Sequence, residues 1–321
     1  MPSSQHLLLK QLLTAVAGPL ARSRPQLPAI RLAAEAAALF QFVPWNVFLE
    51  DADVDGMAAE WVRPAGAPAR RVLLYLHGGG YVLGSLNTHR ALVGALAESC
   101  RLNTLAINYR KAPEYPFPAA LDDARLAYEW LLRHGYQARN IIVAGDSAGG
   151  GLALALLLHL RTARRPLPAA AIGLSPWLDL MLPTTVLRQA CHEESRVFEA
   201  LQIRDWGGLY AADTPPTNPL LSPVQGTLRG LPPLLIQVSD AEVLHDDVVR
   251  FCRKARAAGV PVTLQVFGGL VHWWHLFWRF VPEARQALGQ AGDFTRGVWT
   301  PSPAAARKHV GAKTEQYGVR N

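Results

Sequence analysis

The sequence predicts an α/β protein in which helices cover both faces of a mostly parallel sheet. From about residue 55 onward, short apolar runs alternate with segments of helical pattern. This alternation is typical of parallel strands joined by crossover helices. The runs from Val72 onward are apolar throughout, as expected of strands buried on both faces. A chain of 321 residues can also bury a large core without a disulfide or a metal to hold it.

The predicted strands share a β-branched or leucine-rich composition and are, in chain order, Trp45–Glu50, Met57–Val62, Val72–Leu76, Thr104–Asn108, Ile141–Ala144, Ala170–Leu174, Leu234–Val238 and Val262–Phe267. The predicted helices between them have apolar residues at helical spacing and are Thr88–Glu98, Ala119–Arg133, Ala148–Arg161, Asp246–Ala258 and roughly His275–Leu288.

Two further regions do not fit this alternation. Residues 1–45 are predicted to form helices, and residues 183–213 are predicted to be a helical insertion within a catalytic domain spanning residues 46–300. We expect both regions to fold over the edge of the sheet as a cap. Residues 301–321 are polar, and we expect them to be a frayed tail.

The composition argues against nucleic acid as a partner. The formal net charge is +7, but the basic residues are scattered, with only short clusters such as Arg164-Arg165 and Arg253-Lys254. No basic run carries interleaved aromatic residues, so we interpret the charge as a solvated basic surface. Half of the residues are apolar and 18% are charged, which is typical of a globular protein.

The cysteines and the hydrophobic segments predict a cytoplasmic protein with no membrane partner. The three cysteines have no Cys-x-x-Cys spacing, which argues against a disulfide framework or a zinc site and favours a reducing compartment. No Lys or Arg precedes the leucines at 7–9, and Lys10 interrupts the run, so we expect an amphipathic helix there and not a signal peptide. The apolar stretch Gly149–Leu158 is too short to cross a bilayer.

The strongest chemical motif is Gly145-Asp146-Ser147-Ala148-Gly149, which lies between a predicted strand and an apolar predicted helix. This Gly-x-Ser-x-Gly context is that of a nucleophile elbow, in which a serine stands on a sharp, strained strand-to-helix turn. Small neighbours are needed because bulky side chains would clash there. The N-terminus of the helix also directs free N–H groups toward the serine. Ser147 is therefore the predicted nucleophile.

A second motif, His77-Gly78-Gly79-Gly80, directly follows the predicted strand Val72–Leu76. Consecutive glycines leave backbone N–H groups unshielded, and acyl transfer needs such donors to stabilise an oxyanion. The N–H groups of Gly79 and Gly80, together with that of Ala148, would form this oxyanion hole. A phosphate-binding loop is the alternative, but no Gly-Lys-Ser/Thr or Gly-x-Gly-x-x-Gly pattern follows.

The predicted general base is His272, because it follows the last predicted strand on a loop that would face the nucleophile. His275 is the fallback. The acid of the triad is expected between Ser147 and the histidine in chain order. Four carboxylates follow the predicted strand Leu234–Val238, and two of them, at 246 and 247, suit the first turn of the next helix. Asp240 and Glu242 remain as candidates.

These motifs, in this order, resemble those of the bacterial hormone-sensitive-lipase-like esterases. The resemblance spans roughly residues 27–290 and is carried by His77–Gly80, Gly84-Ser85, Tyr109–Glu114, Pro116–Ala120, Gly145–Gly150, Ser175-Pro176-Trp177 and Gly269-x-x-His272. It implies an α/β-hydrolase fold with an eight-stranded sheet and a helical cap. In the family the acid stands two residues before the leucine of an acid-x-Leu-x-Asp stretch, which here is Glu242. The family more often has aspartate at that position, so Asp240 stays in competition.

The resemblance implies a serine carboxylesterase that acts on small esters, with short-to-medium acyl chains expected, without a metal or cofactor. Its acyl pocket would be lined by Tyr81, Leu83, Trp206, Trp273 and Trp274, although each of these is equally well explained as core. Alternatives on the same fold are a deacetylase, an ε-lactone hydrolase, a true lipase, and a ligand receptor, which in this family lacks the catalytic histidine. A homodimer through Val262–Phe267 is also compatible with the resemblance.

Overall fold

The structure, a computed structural model, describes residues 2–23, 26–181 and 194–300. The tail predicted at residues 301–321 and the first part of the predicted insertion, residues 183–193, lie outside the described residues.

Eight strands form one sheet: β1 (Val47–Val54), β2 (Met57–Pro64), β3 (Val72–Leu76), β4 (Asn103–Ile107), β5 (Ile141–Asp146), β6 (Ala170–Leu174), β7 (Leu234–Ser239) and β8 (Val262–Phe267). Their order across the sheet is β1-β2-β4-β3-β5-β6-β7-β8. The pairs β1–β2 and β2–β4 are antiparallel, and the other pairs are parallel. The prediction of a mostly parallel eight-stranded sheet is confirmed.

The described helices are α1 (Ser4–Ser23), α2 (Leu27–Ala38), α3 (Leu86–Cys100), α4 (Ala119–Arg133), α5 (Ser147–Thr162), α6 (Glu194–Ala211), α7 (His245–Ala257) and α8 (Pro282–Trp299). Among the described residues, no helix is both long enough and apolar enough to cross a membrane.

Two predicted elements begin at other residues than expected because of a nearby proline. The first strand begins at Val47 and not at Trp45, because a turn closed by the hydrogen bond from the Val47 N–H to the Pro44 carbonyl precedes it. The helix predicted over His275–Leu288 is instead a short 3₁₀ helix followed by α8. Pro282 begins α8, which is the helical position that tolerates a residue with no backbone donor.

Alternate residues of β3 divide the core between the two faces of the sheet. Val72, Leu74 and Leu76 join the cluster that includes α4 and α5, whereas Leu73 and Tyr75 join the cluster packed by α3 and α8. All five side chains are fully buried. Burying each of them contributes about 2 kcal/mol. A strand buried on both faces explains why the sequence is apolar throughout and does not alternate.

Helix α2 lies against the loop that follows β3. Arg31 of α2 donates from Nε to the Val82 carbonyl and from Nη2 to the Ala112 carbonyl, both at 2.8 Å. Its guanidinium also forms an ion pair with Glu114. Helix α1 contacts α6. Arg31 thus joins α2 to the loop after β3, and Trp206 of α6 lies against Gly80 of the same loop.

Candidate active site

Ser147 stands where β5 ends and α5 begins, on a backbone turn that few side chains adopt. Its φ is +49°, in the left-handed region that an L-residue enters only under strain. The backbone of Gly149 packs directly against the backbone of Leu76 and His77, and a Cβ on Gly149 would overlap their carbonyls. The Ser147 carbonyl accepts a hydrogen bond from the Trp177 N–H at 2.8 Å. The elbow expected from the sequence pattern is therefore present.

His272 links Ser147 to Glu242 in one buried chain of hydrogen bonds. Nε2 of His272 lies 2.9 Å from Oγ of Ser147. Nδ1 of the same ring lies 2.6 Å from Oε2 of Glu242. All three side chains are buried. A hydroxyl, an imidazole and a carboxylate in this order can generate an alkoxide nucleophile at neutral pH.

Glu242 is held by donors on both of its oxygens. Oε1 accepts from the Ser175 hydroxyl at 2.7 Å, the Ser239 N–H at 2.8 Å and the Trp274 indole N–H at 3.2 Å. Oε2 is left to His272. Burial alone would raise the pKa of Glu242, but the hydrogen bond and charge of His272, with the bonds from Ser175 and Ser239, bring that pKa below its ordinary value. The carboxylate is therefore ionised at neutral pH.

The structure separates the two pairs of candidates that the sequence left open. Asp240 does not face His272: its Oδ1 accepts the Gly269 N–H at 2.7 Å. His275 pairs through Nε2 with Oε1 of Gln237 at 3.1 Å, and burial lowers the pKa of its ring to about 4. His272 is therefore the histidine that contacts Ser147, and Glu242 is the carboxylate that contacts His272.

The glycine-rich loop lies beside the elbow and is attached to it through Asp146. Oδ1 of Asp146 accepts from the Gly78 N–H at 2.9 Å and from the Tyr75 hydroxyl at 2.6 Å. Nε2 of His89 lies 3.3 Å from Oδ2. Burial raises the pKa of Asp146, but the charge and hydrogen bond of His89, with the hydrogen bond from Tyr75, outweigh it and lower that pKa to about 2. Asp146 thus couples the loop after β3 to the residue before the nucleophile.

The predicted oxyanion donors lie in this loop and at the start of α5. Gly79 and Gly80 have φ values of +113° and +62°, which favour glycine. Within the described part of the chain, the N–H groups of Gly79 and Gly80 have no protein acceptor. Ala148 lies in the first turn of α5, where a helix leaves its N–H groups without an intrahelical partner.

The predicted pocket residues occupy different environments. Tyr81 is fully buried, stacked on Tyr210 of α6 with ring centroids 3.7 Å apart, and Leu83 is buried at the end of the glycine-rich loop. Trp206 of α6 is half-buried with its ring against Gly80, where an added Cβ would overlap it. Trp273 is 40% exposed, with its ring centroid 5.7 Å from that of His272.

Trp274, which the sequence leaves open between pocket and core, lies in the core beside Glu242. Its side chain is fully buried, and its indole N–H donates to Glu242. Ser175, which the sequence showed only as part of a family motif, is another support of the same carboxylate. A serine after β6 carries no chemical signal of its own, so only the family motif pointed to it. Among the described residues, no group of three or more His, Cys, Asp or Glu side chains could hold a metal ion.

Comparison with known proteins places this geometry in a family. A family model described as the alpha/beta hydrolase fold matches residues 73–276. An acetyl-hydrolase of Streptomyces hygroscopicus is 47% identical over 242 residues, which cover 74% of this chain and 79% of that protein. An esterase of Acinetobacter venetianus is 38% identical over 246 residues, covering 76% and 80%.

Solved structures give the same result. An esterase from the bacterial hormone-sensitive lipase family superposes with a TM-score of 0.84 at 36% identity, covering 94% of this chain and 100% of that one. The esterase EstE5, in a crystal soaked with p-nitrophenyl butyrate, gives a TM-score of 0.83 at 37% identity, covering 92% and 99%. The chain therefore belongs to the hormone-sensitive-lipase-like esterase family of the α/β-hydrolase fold, and it is a carboxylic ester hydrolase.

Proposed function

We propose that the protein hydrolyses carboxylic esters of short acyl chains through an acyl-enzyme on Ser147. The observation that carries this proposal is the 2.9 Å contact between Oγ of Ser147 and Nε2 of His272, whose other nitrogen is bonded to Glu242. In this assignment Ser147 is the nucleophile, His272 the general base and acid, and Glu242 the residue that orients the imidazole and stabilises its charge.

The reaction follows in two balanced halves. Oγ of Ser147 attacks the ester carbonyl carbon while its proton moves to Nε2 of His272. The resulting oxyanion is stabilised by the N–H groups of Gly79, Gly80 and Ala148. The carbon–oxygen bond to the alcohol breaks, and His272 returns the proton to the leaving oxygen. A water then attacks the acyl carbon, gives a proton to His272, and releases the carboxylic acid as Ser147 regains its hydrogen.

The cap supports the preference for short acyl chains. The ring of Trp206 lies against Gly80, one of the proposed oxyanion donors, so an aromatic wall stands next to the position of the reacting carbonyl. Tyr81, next to Gly80, stacks on Tyr210 of α6, and both are fully buried, which restricts movement of α6 away from the glycine-rich loop. The similarity to an acetyl-hydrolase and to an esterase soaked with a butyrate ester points in the same direction.

The test is a series of initial rates on p-nitrophenyl esters from acetate to palmitate. We expect kcat/KM to peak at or below the butyrate to hexanoate range, and Ser147→Ala to lower it by about 10⁵-fold or more. Ser99→Ala, a half-buried serine of α3, is the matched control and should keep full activity. The highest kcat/KM on palmitate would contradict the chain-length proposal, and activity retained in Ser147→Ala would contradict the assigned nucleophile.

Trp206→Ala tests the wall directly. Removal of the indole should raise the ratio of kcat/KM on decanoate to that on acetate by roughly tenfold, since a methylene that gains room in a pocket is worth about 1 kcal/mol or more. Leu209→Ala, on the exposed side of the same helix, is the control. An unchanged ratio in Trp206→Ala would show that another residue sets the acyl preference.

A deacetylase acting on amides is the second candidate, because the acetyl-hydrolase relative is named for the acyl group and not for the leaving group. Rates on p-nitrophenyl acetate and p-nitroacetanilide distinguish the two. Equal or faster turnover of the anilide would favour the deacetylase.

We further propose that α1, α2 and α6 act as the cap of the catalytic domain, and that two copies pair through β8. That strand is an edge of the sheet, and Val266 on it is 48% exposed. Light scattering after size exclusion, on the wild type and on Val266→Lys, tests the dimer, because a charge on an edge strand opposes pairing. A monomeric wild type would overturn it.

A further inference from the structure

The loop that carries His272 is held by side-chain acceptors at three successive backbone N–H groups. The Gly269 N–H donates to Oδ1 of Asp240 at 2.7 Å, and the Leu270 N–H donates to Oγ of Ser239 at 2.8 Å. The Val271 N–H donates to Nε2 of His6 at 3.1 Å. The first two acceptors are the last residue of β7 and the residue after it, close in sequence to Glu242. The third comes from α1 and is 265 residues away in the sequence.

His6 belongs to a segment, residues 2–9, that is anchored on the same side of the molecule. The backbone N–H and the hydroxyl of Ser3 both donate to the carboxylate of Glu283 in α8. The ring of Pro2 packs against Gly269, since a Cβ built on that glycine would lie 3.0 Å from Cγ of the proline. Leu9 packs on the apolar cluster that contains Leu270.

The side chain of His6 is completely buried, so its ring contributes a fixed acceptor and not a solvent-exposed one. Because Nε2 accepts a hydrogen bond, the ring is neutral with its proton on Nδ1. Within the described residues, Nδ1 has no partner. A buried N–H group without an acceptor costs free energy. The ring bears this cost at Nδ1 while Nε2 accepts from the loop, which indicates that the bond to the loop is important.

We infer that His6 is a positioning residue for His272 and that residues 2–9 form a latch, which sets the reach of the imidazole toward Ser147. This inference rests on the proposed role of His272 as general base. His6 does not touch the reacting atoms: it acts through the Val271 N–H, one residue before His272. Without that acceptor, the side chains of Asp240 and Ser239 would still bind the loop, but at the N–H groups of residues 269 and 270, farther from His272.

The latch is expected to respond to pH. Burial is the largest influence on the His6 ring and lowers its pKa, Glu283 of α8 opposes that shift, and Lys10 of α1 adds to it. The neutral ring is therefore favoured in the folded protein. The stabilisation from the docked ring is fully present above the ordinary histidine pKa of 6.5 and is lost as the pH falls through the lowered value. Once protonated, Nε2 is a donor facing the Val271 N–H donor, and the bond cannot form.

The test compares His6→Gln, whose amide oxygen can replace Nε2 as acceptor, with His6→Leu, which fills space without an acceptor. Active sites are counted by stoichiometric reaction with a p-nitrophenyl phosphonate, so that kcat refers to each reactive serine. For His6→Leu we expect kcat on p-nitrophenyl butyrate to fall roughly 10- to 100-fold with KM nearly unchanged, as for a displaced catalytic group. His6→Gln should stay within about threefold of the wild type at pH 8.

The pH profile separates positioning from a general loss of stability. His6→Gln has no ring to protonate, so it should keep a larger fraction of its pH 8 value of kcat/KM at pH 5.5 than the wild type does. Matched substitutions at the exposed His134, His134→Gln and His134→Leu, should change neither kcat nor the profile. Wild-type kcat in His6→Leu, or an equal loss in His6→Leu and His6→Gln, would overturn the inference.

A second variant covers the case in which His6→Leu fails to fold. Glu283→Ala removes the anchor of Ser3 and should also lower kcat, by a smaller factor, and adding it to His6→Leu should cost little more if the latch acts as one unit. An unchanged kcat in Glu283→Ala would count against the latch. If the wild type hydrolyses esters and Ser147→Ala does not, a failure of these variants overturns the latch alone. Activity retained in Ser147→Ala overturns the proposed function.

Discussion

The carboxylate of Asp240 lies 2.7 Å from the backbone nitrogen of Gly269, and it stabilises the loop of His272 without touching the imidazole. Glu242, two residues later, contacts the imidazole directly at 2.6 Å. Two neighbouring acids on one loop therefore have separate tasks: one fixes the backbone before His272, and the other fixes the ring of His272.

Substitution of these two acids should give very different losses. Glu242→Gln keeps the size of the side chain but presents a neutral amide to Nδ1 of His272, and we expect kcat to fall by about 10³- to 10⁴-fold. Asp240→Asn keeps an oxygen that can accept the Gly269 N–H and should lower kcat by no more than about fivefold. Steady-state turnover of p-nitrophenyl butyrate measures kcat for both variants. Equal losses in the two variants would refute this division of tasks.

Gly80 and Trp206 should show coupled effects on turnover. A Cβ at Gly80 would overlap the Trp206 ring, so Gly80→Ala must displace either the loop or α6, and we expect kcat/KM to fall roughly 100-fold. Trp206→Ala in the same chain should recover a large part of that loss. Gly66→Ala is a matched control, because Gly66 also has a positive φ of +75° but has no atom within 4 Å of an added Cβ. No recovery in the double variant would show that the clash is not the cause.

His275 should make the fold less stable in mild acid. Burial lowers the pKa of its ring to about 4, whereas the unfolded chain has the ordinary value of 6.5. Between these values the unfolded chain binds a proton that the folded chain does not, so stability falls as the pH falls from 6.5 toward 4. Between pH 7.5 and pH 5 the free energy of unfolding should therefore fall by about 2 kcal/mol, since one pH unit of this linkage corresponds to about 1.36 kcal/mol.

Urea unfolding at these two pH values, on the wild type and on His275→Gln, measures this contribution. The variant retains a side chain that can donate to Gln237 but has no group that titrates, so its free energy of unfolding should depend less on pH. His134→Gln, at an exposed position, should behave as the wild type does. A variant with the wild-type pH dependence would show that His275 is not the group responsible.

Asp146 should contribute to both stability and turnover, because it joins the elbow to the glycine-rich loop. Its folded pKa of about 2 lies below the ordinary 3.8, so its stabilisation is full above pH 3.8 and is lost as the pH falls toward 2. Asp146→Asn should lower the free energy of unfolding at pH 7 by about 2 kcal/mol and reduce kcat. Asp122→Asn, an exposed acid of α4, is the control. An unchanged free energy of unfolding would contradict the assigned network.

The sequence predicted the fold and the two residues of the Ser147–His272 contact because local patterns encode them. Ser147 lies in a strand-to-helix motif, and His272 follows the last strand, so chain order and spacing were enough. Glu242 was separated from Asp240 only by family resemblance, since the residues alone offered both. The choice depends on which carboxylate the backbone turns toward His272, and that is a tertiary property.

The supports of the site could not be predicted from local pattern. Trp273 and Trp274 look alike in sequence, where each fits a pocket and the core equally well, yet Trp273 is 40% exposed and Trp274 is buried against Glu242. Nothing in the first residues of the chain indicates that His6 meets Val271. Such contacts arise from the meeting of segments distant in the chain, which short-range spacing does not encode.

The contacts between residues 3–6 and residues 271–283 also bear on the order of folding. They span 265 to 280 residues, and so they close the largest loops of the described chain. Closing such a loop costs entropy that the earlier, shorter-range pairings must first offset, which places these contacts late in assembly. If the latch sets the reach of His272, hydrolytic activity should be among the last properties that a refolding chain regains. The rate at which hydrolysis of a p-nitrophenyl ester returns during refolding would then report the final step of folding.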